Sequence, residues 1–283
     1  MIDSIKKSSL EFFNTNGLPS KKLENWKFTS SKNFKNFNKS LSLDETKKIE
    51  SDELSIVFIN GVLDKDSLEN FKFADLIEVK NLNVLTKKEL LYCSESFLNE
   101  SMFNLGVSEF ENGSYISFKE NSVIEEVINI KNYFFENGQN ERVSSFNIFH
   151  INERSEISII EEDIKENFSI FNLKLNKFIC ENSSIFKHGK SYNDDSQTHS
   201  LSYNYYQIEQ DVALNVDSMV KSSFFNKEFI EVDLNKVGSD AKINILNLGK
   251  EEQHVDNNIL INHKAEHCTS FQHVRNVLDN KST

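Results

Sequence analysis

The chain has 283 residues with 44 acidic and 32 basic side chains, a formal net charge of -12, and 38% hydrophobic residues. That hydrophobic fraction can supply the core of one large domain or two ordinary ones. The acidic balance would repel phosphate backbones, and no Lys/Arg block is long enough to form a binding stripe, so both argue against nucleic acid as a partner.

No apolar run approaches the roughly 18 to 20 residues of a membrane span, and the opening MIDSIKKSSLEFF carries acid and lacks a small-residue cleavage site. The three cysteines, Cys93, Cys180 and Cys268, are far apart and odd in number, which suits reduced thiols better than a disulfide framework. These features read as an unexported, cytoplasmic protein with no membrane partner. Pro occurs once and Gly eight times, so turns must be built largely from Asn, Asp and Ser.

In chain order, apolar residues at Ile2, Ile5, Leu10, Phe12 and Phe13 have helical spacing and stop at Asn16 and Gly17, a helix C-terminus. Pro19 ends any helix, and Trp26 and Phe28 offer aromatic anchors. The stretch LSIVFINGV, from Leu54 to Val62, reads as a short buried strand closing in an Asn60-Gly61 turn. Thr86 and Glu89 frame a capping box that starts a helix near residue 87. Residues 1–106 are therefore expected to form a mixed, helix-rich N-terminal region.

From Gly113 onward the pattern becomes period two: Ile230, Val232 and Leu234 alternate with Glu231, Asp233 and Asn235, and Ala241, Ile243 and Ile245 with Lys242 and Asn244. SYISF, FNIFHI, EISII, SIFNLKL, SLSYNYYQI and VALNV repeat it. Residues 107–283 are expected to be a nearly all-strand region, and alternation leaves sandwich, barrel and solenoid open. No strict sequence repeat decides among them.

Several motifs carry possible chemistry. HKAEH, from His263 to His267, matches the H-x-x-E-H pattern of inverted zinc peptidases. That pattern needs a helix to bring both imidazoles to one zinc ion. NNILIN before it and CTSFQHVRNVL after it look extended, and four residues along a strand span about 13 Å. HGKS, from His188 to Ser191, resembles the end of a phosphate-binding loop, but Ser184 stands where the loop needs glycine, so a polar turn is expected.

The acidic run of Glu161, Glu162, Asp163 and Glu166 could supply a carboxylate pair for a carbohydrate-acting β-solenoid protein, although such runs are usually solvated turns. His150 and His199 read as surface or satisfied core histidines. Cys93 and Cys180 read as buried small hydrophobes. Cys268, beside His267, is the thiol with a hint of metal or redox chemistry, and burial is its ordinary explanation.

One long stretch, GSDAKINILNLGKEEQHVDNNILINHKAEHCTSFQHVRNVLDNKS, resembles the most recognisable part of the SufB/SufD family. A glycine turn and strand lead to an H-x-D-N element, a histidine, and a Cys or Thr-Ser element, here Gly238, His254, Asp256, Asn257, His263, Cys268, Thr269 and Ser270. LPSKKLENWKFTSSKNF, with Glu24, Asn25, Trp26, Phe28 and Thr29, resembles the N-terminal signature typical of SufD. FNLGVSEFENGSYISFKENSVIEEVINI resembles the entry into the family core, with Val127 where proline is common.

The resemblance implies a right-handed parallel β-helix core, mainly β, preceded by the helix-rich region. It further implies a scaffold subunit, not an enzyme, of SUF iron-sulfur cluster assembly, working with a SufB-like subunit and a SufC-like ATPase. Iron-sulfur cluster would be handled transiently by the complex, with no cofactor bound stably by this chain.

Family members usually continue past Asp279 into more β-helix and a C-terminal helical domain. That part bears the junction ligands and the SufC-docking segment, which makes SufC contact doubtful for this chain. No catalytic, cofactor or metal residue is therefore assigned. His254, Asp256, Asn257, His263, His267, Cys268 and Ser270 are expected to hold turns and rungs together. The alternatives are a zinc metallopeptidase acting through HKAEH and a carbohydrate-acting β-solenoid protein.

Overall fold

A computed structural model describes residues 2–39, 49, 51–85, 95–136, 140–165, 168–193, 198–221 and 224–283. The elements run α1 (Ile2–Asn16), β1 (Asn38–Lys39), β2 (Ser55–Ile59), β3 (Val62–Leu63), α2 (Lys65–Glu69), β4 (Ile77–Asn81), α3 (Glu95–Leu98) and α4 (Ser101–Glu109). Then follow β5 (Ser114–Phe118), β6 (Ile128–Phe134), β7 (Glu141–Ile151), β8 (Glu156–Lys165), β9 (Ile170–Cys180) and β10 (Ile185–Asn193). The last are β11 (Thr198–Ile208), β12 (Ala213–Lys221), β13 (Phe225–Leu234), β14 (Asp240–Gly249), β15 (His254–His263) and β16 (Thr269–Leu278).

The fold is mainly β, a parallel β-solenoid of about 5 turns with an N-terminal helix-containing region. This decides what alternation left open. From β5 onward odd-numbered strands lie in one sheet, of order β15-β13-β11-β9-β7-β5-β4, and even-numbered strands in the other, β16-β14-β12-β10-β8-β6-β2-β3. Successive strands therefore alternate between sheets, and each pairs in parallel with the strand one turn away. Strands from before residue 107 join them: β1 pairs with β7 and β2 with β6 in parallel, and β4 with β5 antiparallel.

Local readings mostly hold. Helix α1 stops at Asn16, and Gly17 takes φ 65, the left-handed conformation that suits a helix end. β2 and β3 form a hairpin through Asn60 and Gly61, both at positive φ as a tight two-residue turn requires. The capping box at Thr86 and the thiol of Cys93 lie outside the described residues.

The interior between the sheets is apolar in the second half of the odd strands, where Phe149, Phe178 and Tyr206 stack rung on rung with ring centroids 5.3 and 4.7 Å apart. A second core lies on the outer face of the odd-strand sheet. There α4 and the segment around Trp26 and Phe34 pack on Phe171, Tyr203, Phe225 and Phe229. This explains why every residue of β13 is buried even though its sequence alternates: one face meets the interior and the other meets the N-terminal region. Phe28 is 75% exposed, so of the two expected aromatic anchors only Trp26 acts as one.

Candidate functional site

Three groups of side chains carry the chemistry. The first joins two motifs that are far apart in sequence. Thr29, itself buried, donates its hydroxyl to Asp256, and its Oγ1 lies 3.0 Å from His254 Nε2. Because the Thr29 proton goes to the carboxylate, Nε2–H of His254 is the donor to Oγ1. Lys227 pairs with Asp256 and stands 5.1 Å over the Trp26 ring. Trp26 Nε1–H donates to Glu100 at 3.0 Å, and Asn258 Nδ2 donates to Asn25 at 3.1 Å.

Burial pushes the Lys227 ammonium down even though Asp256 opposes it, and burial likewise lowers the His254 imidazole. In β15 the side chains of His254, Asp256 and Asn258 share one face, because strand side chains alternate. Asn257 faces the other way and accepts from Asn247 at 2.6 Å.

The second group lies inside the solenoid, along the edge where even strands end and odd strands begin. Two sequence expectations are overturned here. Glu161, Glu162 and Asp163 are not a solvated turn but part of β8, with the Glu161 and Asp163 side chains 3% and 4% exposed; Glu166 lies outside the described residues. HGKS is not a polar turn but the middle of β10, and His188 and Lys190 point inward. Both segments are strands because their inward positions continue an apolar alternation, Ile157 and Ile159 before Glu161, and Phe186 before His188. Gly189 faces outward and shapes a strand surface, with no phosphate cradle formed.

Charges in this cluster are paired across the two sheets. Lys190 pairs with Glu228, both side chains being 0% exposed. Lys174 Nζ lies 2.6 Å from Asp163 and 3.7 Å from Glu161. Asn132, Asn172, Asn176 and Asn204 donate to the same three carboxylates. His188 sits 3.1 Å from Glu161 through Nε2 and 2.8 Å from the Tyr206 hydroxyl through Nδ1.

Burial pushes the Glu161 carboxyl up, but the hydrogen bond and charge of His188, followed by the Lys174 and Lys190 charges, outweigh it and hold it at about 2. Burial pushes the His188 imidazole down further than Glu161 raises it. Near pH 7 the arrangement is therefore a neutral imidazole donating Nε2–H to an ionised carboxylate and accepting the Tyr206 proton at Nδ1. Sequence reading missed this cluster, and the signal for it was a charged residue at the inward phase of each alternating strand.

The third group is a ladder at the corner between odd and even strands. Asn121, Arg154, Ser183, Asp211, Gly238 and His267 occupy one left-handed position in successive rungs, with φ between 53 and 85. Amides of Asn121, Arg154, Ser183 and Asp211 donate to the corner of the following rung at 2.8–3.1 Å. The next residue in each corner is Ser122, Ser155, Ser184, Val212, Ser239 or Cys268. Ser155 donates to Lys119 O at 2.9 Å, and Cys268 Sγ, half-buried, donates to Lys236 O at 3.2 Å. His263 ends β15 with Nε2 2.9 Å from Ser270 Oγ.

Residues 260–270 thus run strand, turn, strand, and the helix that the zinc pattern needs is replaced by extended backbone with His267 in the left-handed turn. Among the described residues no three His, Cys, Asp and Glu side chains converge as metal ligands. Cys180 is buried, and burial drives its thiol strongly upward. His150 is held by Tyr115 and Glu181, and His199 packs its ring on Phe37 and Phe224. No helix among the described residues is long and apolar enough to cross a membrane.

Comparison with curated proteins returns no match. The family model described as SUF system FeS cluster assembly, SufBD core domain, matches residues 134–283. That span covers β7 to β16 and with them the interior charge cluster, the corner ladder from Arg154 onward, and the His254 face. The match extends over more than half of the chain, which therefore belongs to the SufBD core family of the SUF iron-sulfur cluster assembly system.

Proposed function

We propose that this chain is a SufD-like scaffold subunit that works with a SufB-like subunit and a SufC-like ATPase in the cytoplasm. The observation that carries the reading is the family match across residues 134–283 on a parallel solenoid. The SufD-like assignment is supported by the Glu24 to Thr29 signature, which lies directly on the H-x-D-N element through Thr29, Asp256 and His254. In this reading residues 1–106 form the N-terminal region and residues 107–283 the core. The chain holds no cluster of its own at full occupancy, and iron-sulfur cargo passes through the complex. ATP hydrolysis belongs to the partner, and the strand geometry of His188 to Ser191 supports that division.

Co-expression with SufB-like and SufC-like proteins from the same source, followed by size-exclusion chromatography, tests it. Co-elution with the SufB-like subunit is expected. A chain that elutes alone, carries stoichiometric zinc and cleaves peptides would replace this reading with the metallopeptidase one.

A further inference from the structure

We infer that the segment 18–37 and strand β15 form one conformational unit, coupled through Thr29, so that the two open and close together. The inference starts from how little holds the segment by itself. It contains only 3-10 turns at Glu24–Trp26 and Ser31–Asn36, and such short turns have no independent stability. Its order must come from what it touches.

Its apolar side chains Trp26 and Phe34 pack on β9 and β13, while a row of its polar contacts meets one face of β15. His254, Asp256 and Asn258 are alternate residues of β15, and each meets the segment: His254 and Asp256 at Thr29, and Asn258 at Asn25. Lys227 of β13 extends the seam, since its ammonium joins Asp256 while lying over the Trp26 and Phe229 rings at 5.1 and 4.7 Å.

Strand β15 pairs in parallel with β13 from His254 to His263, and its outward face meets the segment along this seam. The segment supplies β15 with a buried hydroxyl bonded to a carboxylate, a contact stronger than a neutral hydrogen bond. Removing Thr29 Oγ1 takes one partner each from Asp256 and His254, which keep Lys227 and Thr283, and takes from the segment its bond to β15. Loss at either end is therefore felt at the other, across a sequence separation of 227 residues. The H-x-D spacing follows from the same geometry, because only alternate residues of a strand can face one docking segment.

Hydrogen-exchange mass spectrometry on the full chain tests the coupling, using Thr29→Val, Thr29→Ser and the milder Asn258→Ala. Thr29→Val should speed exchange about 10- to 100-fold, the loss expected for one hydrogen bond to a charged group. The effect should appear in peptides covering both 18–37 and 254–263, with β8 and β10 of the opposite sheet unchanged. Thr29→Ser, which keeps the hydroxyl, should restore both regions, and Asn258→Ala should loosen both to a smaller extent.

Trp26 is the only tryptophan, so its emission should shift to the red in Thr29→Val alongside the exchange change. Loosening of 18–37 with 254–263 unaffected would overturn the inference. So would no change in either region, or a loss of protection spread over β8 and β10 as well.

Discussion

Replacing Lys190 by methionine isolates what the interior charges contribute. Methionine keeps most of the apolar stem and removes the ammonium, leaving the Glu228 carboxylate in a site where both side chains are 0% exposed. Removing one partner of a buried pair costs about 3–5 kcal/mol, because the remaining charge loses its partner and cannot reach water. Glu228 still accepts from Asn204 at 2.9 Å and Ser218 at 3.3 Å, and each such bond offsets about 1 kcal/mol. The expected cost is therefore about 1–3 kcal/mol.

Glu228→Gln in the same background removes the stranded charge and should recover most of it, a coupling typical of contacting residues. Urea unfolding at pH 7 of the wild type, both single variants and the double variant gives the cycle, provided the denaturant slope stays constant. A cost below about 1 kcal/mol for Lys190→Met, or losses in the double variant that simply add, would show that this pair is not held dry as argued.

Acid should weaken the fold through the same cluster. Glu161 is held at about 2 against an ordinary 4.5, so its contribution, about 3 kcal/mol, is present above pH 4.5 and lost as pH falls from 4.5 towards 2. Glu161→Gln should flatten the stability curve in that window, and an unchanged curve would reject the assignment. His188 is depressed below 6.5, so the unfolded imidazole takes up a proton that the folded one refuses. Stability should begin to decline as pH drops below 6.5, and His188→Gln should remove that onset.

Gly238→Ala places a Cβ at φ 85 and 2.1 Å from Asp211 Oδ1. The left-handed backbone alone should cost about 1–2 kcal/mol, read as a lower urea midpoint, and Asp211→Ala should relieve the clash but not that cost. Cys268→Ser should change stability by less than about 0.5 kcal/mol, whereas Cys268→Val should cost about 1 kcal/mol through the lost bond to Lys236 O.

Much of the fold was legible because its strands obey one rule. Inward apolar residues at every second position marked β5, β7, β8, β9, β11, β12, β13 and β14, and the Asn60-Gly61 pair marked the hairpin before them. Choosing a solenoid over a sandwich required more than the rule, since two-residue alternation describes any half-buried strand. The repeat stayed hidden because each rung solves the same corner with different residues. A left-handed position accepts Asn121, Arg154, Asp211, Gly238 or His267 alike, and what recurs is a backbone conformation and an amide bonded to the next rung. Sequence comparison reads side chains, so a repeat carried by the backbone leaves little for it to find.

The candidate site was legible in its parts but not in its assembly. His254, Asp256 and Cys268 stand together in sequence next to His263 and His267, which invites a single metal or redox reading. In the fold the strand divides them: His254 and Asp256 turn outward to Thr29, Asn257 turns inward to Asn247, and Cys268 sits in the corner row. The thiol of Cys268 donates to Lys236 O as the hydroxyl of Ser239 donates to Glu209 O one rung earlier. Its neighbours up and down the stack, and not those along the chain, define its role. A residue of a solenoid has two sequences around it, one covalent and one stacked, and only the covalent one is written in the chain. The charges of β8 and β10 were misread as turns for the same reason: their partners on β9 and β13 lie across the interior, where the stacked order alone makes Glu161, His188, Lys190 and Glu228 neighbours.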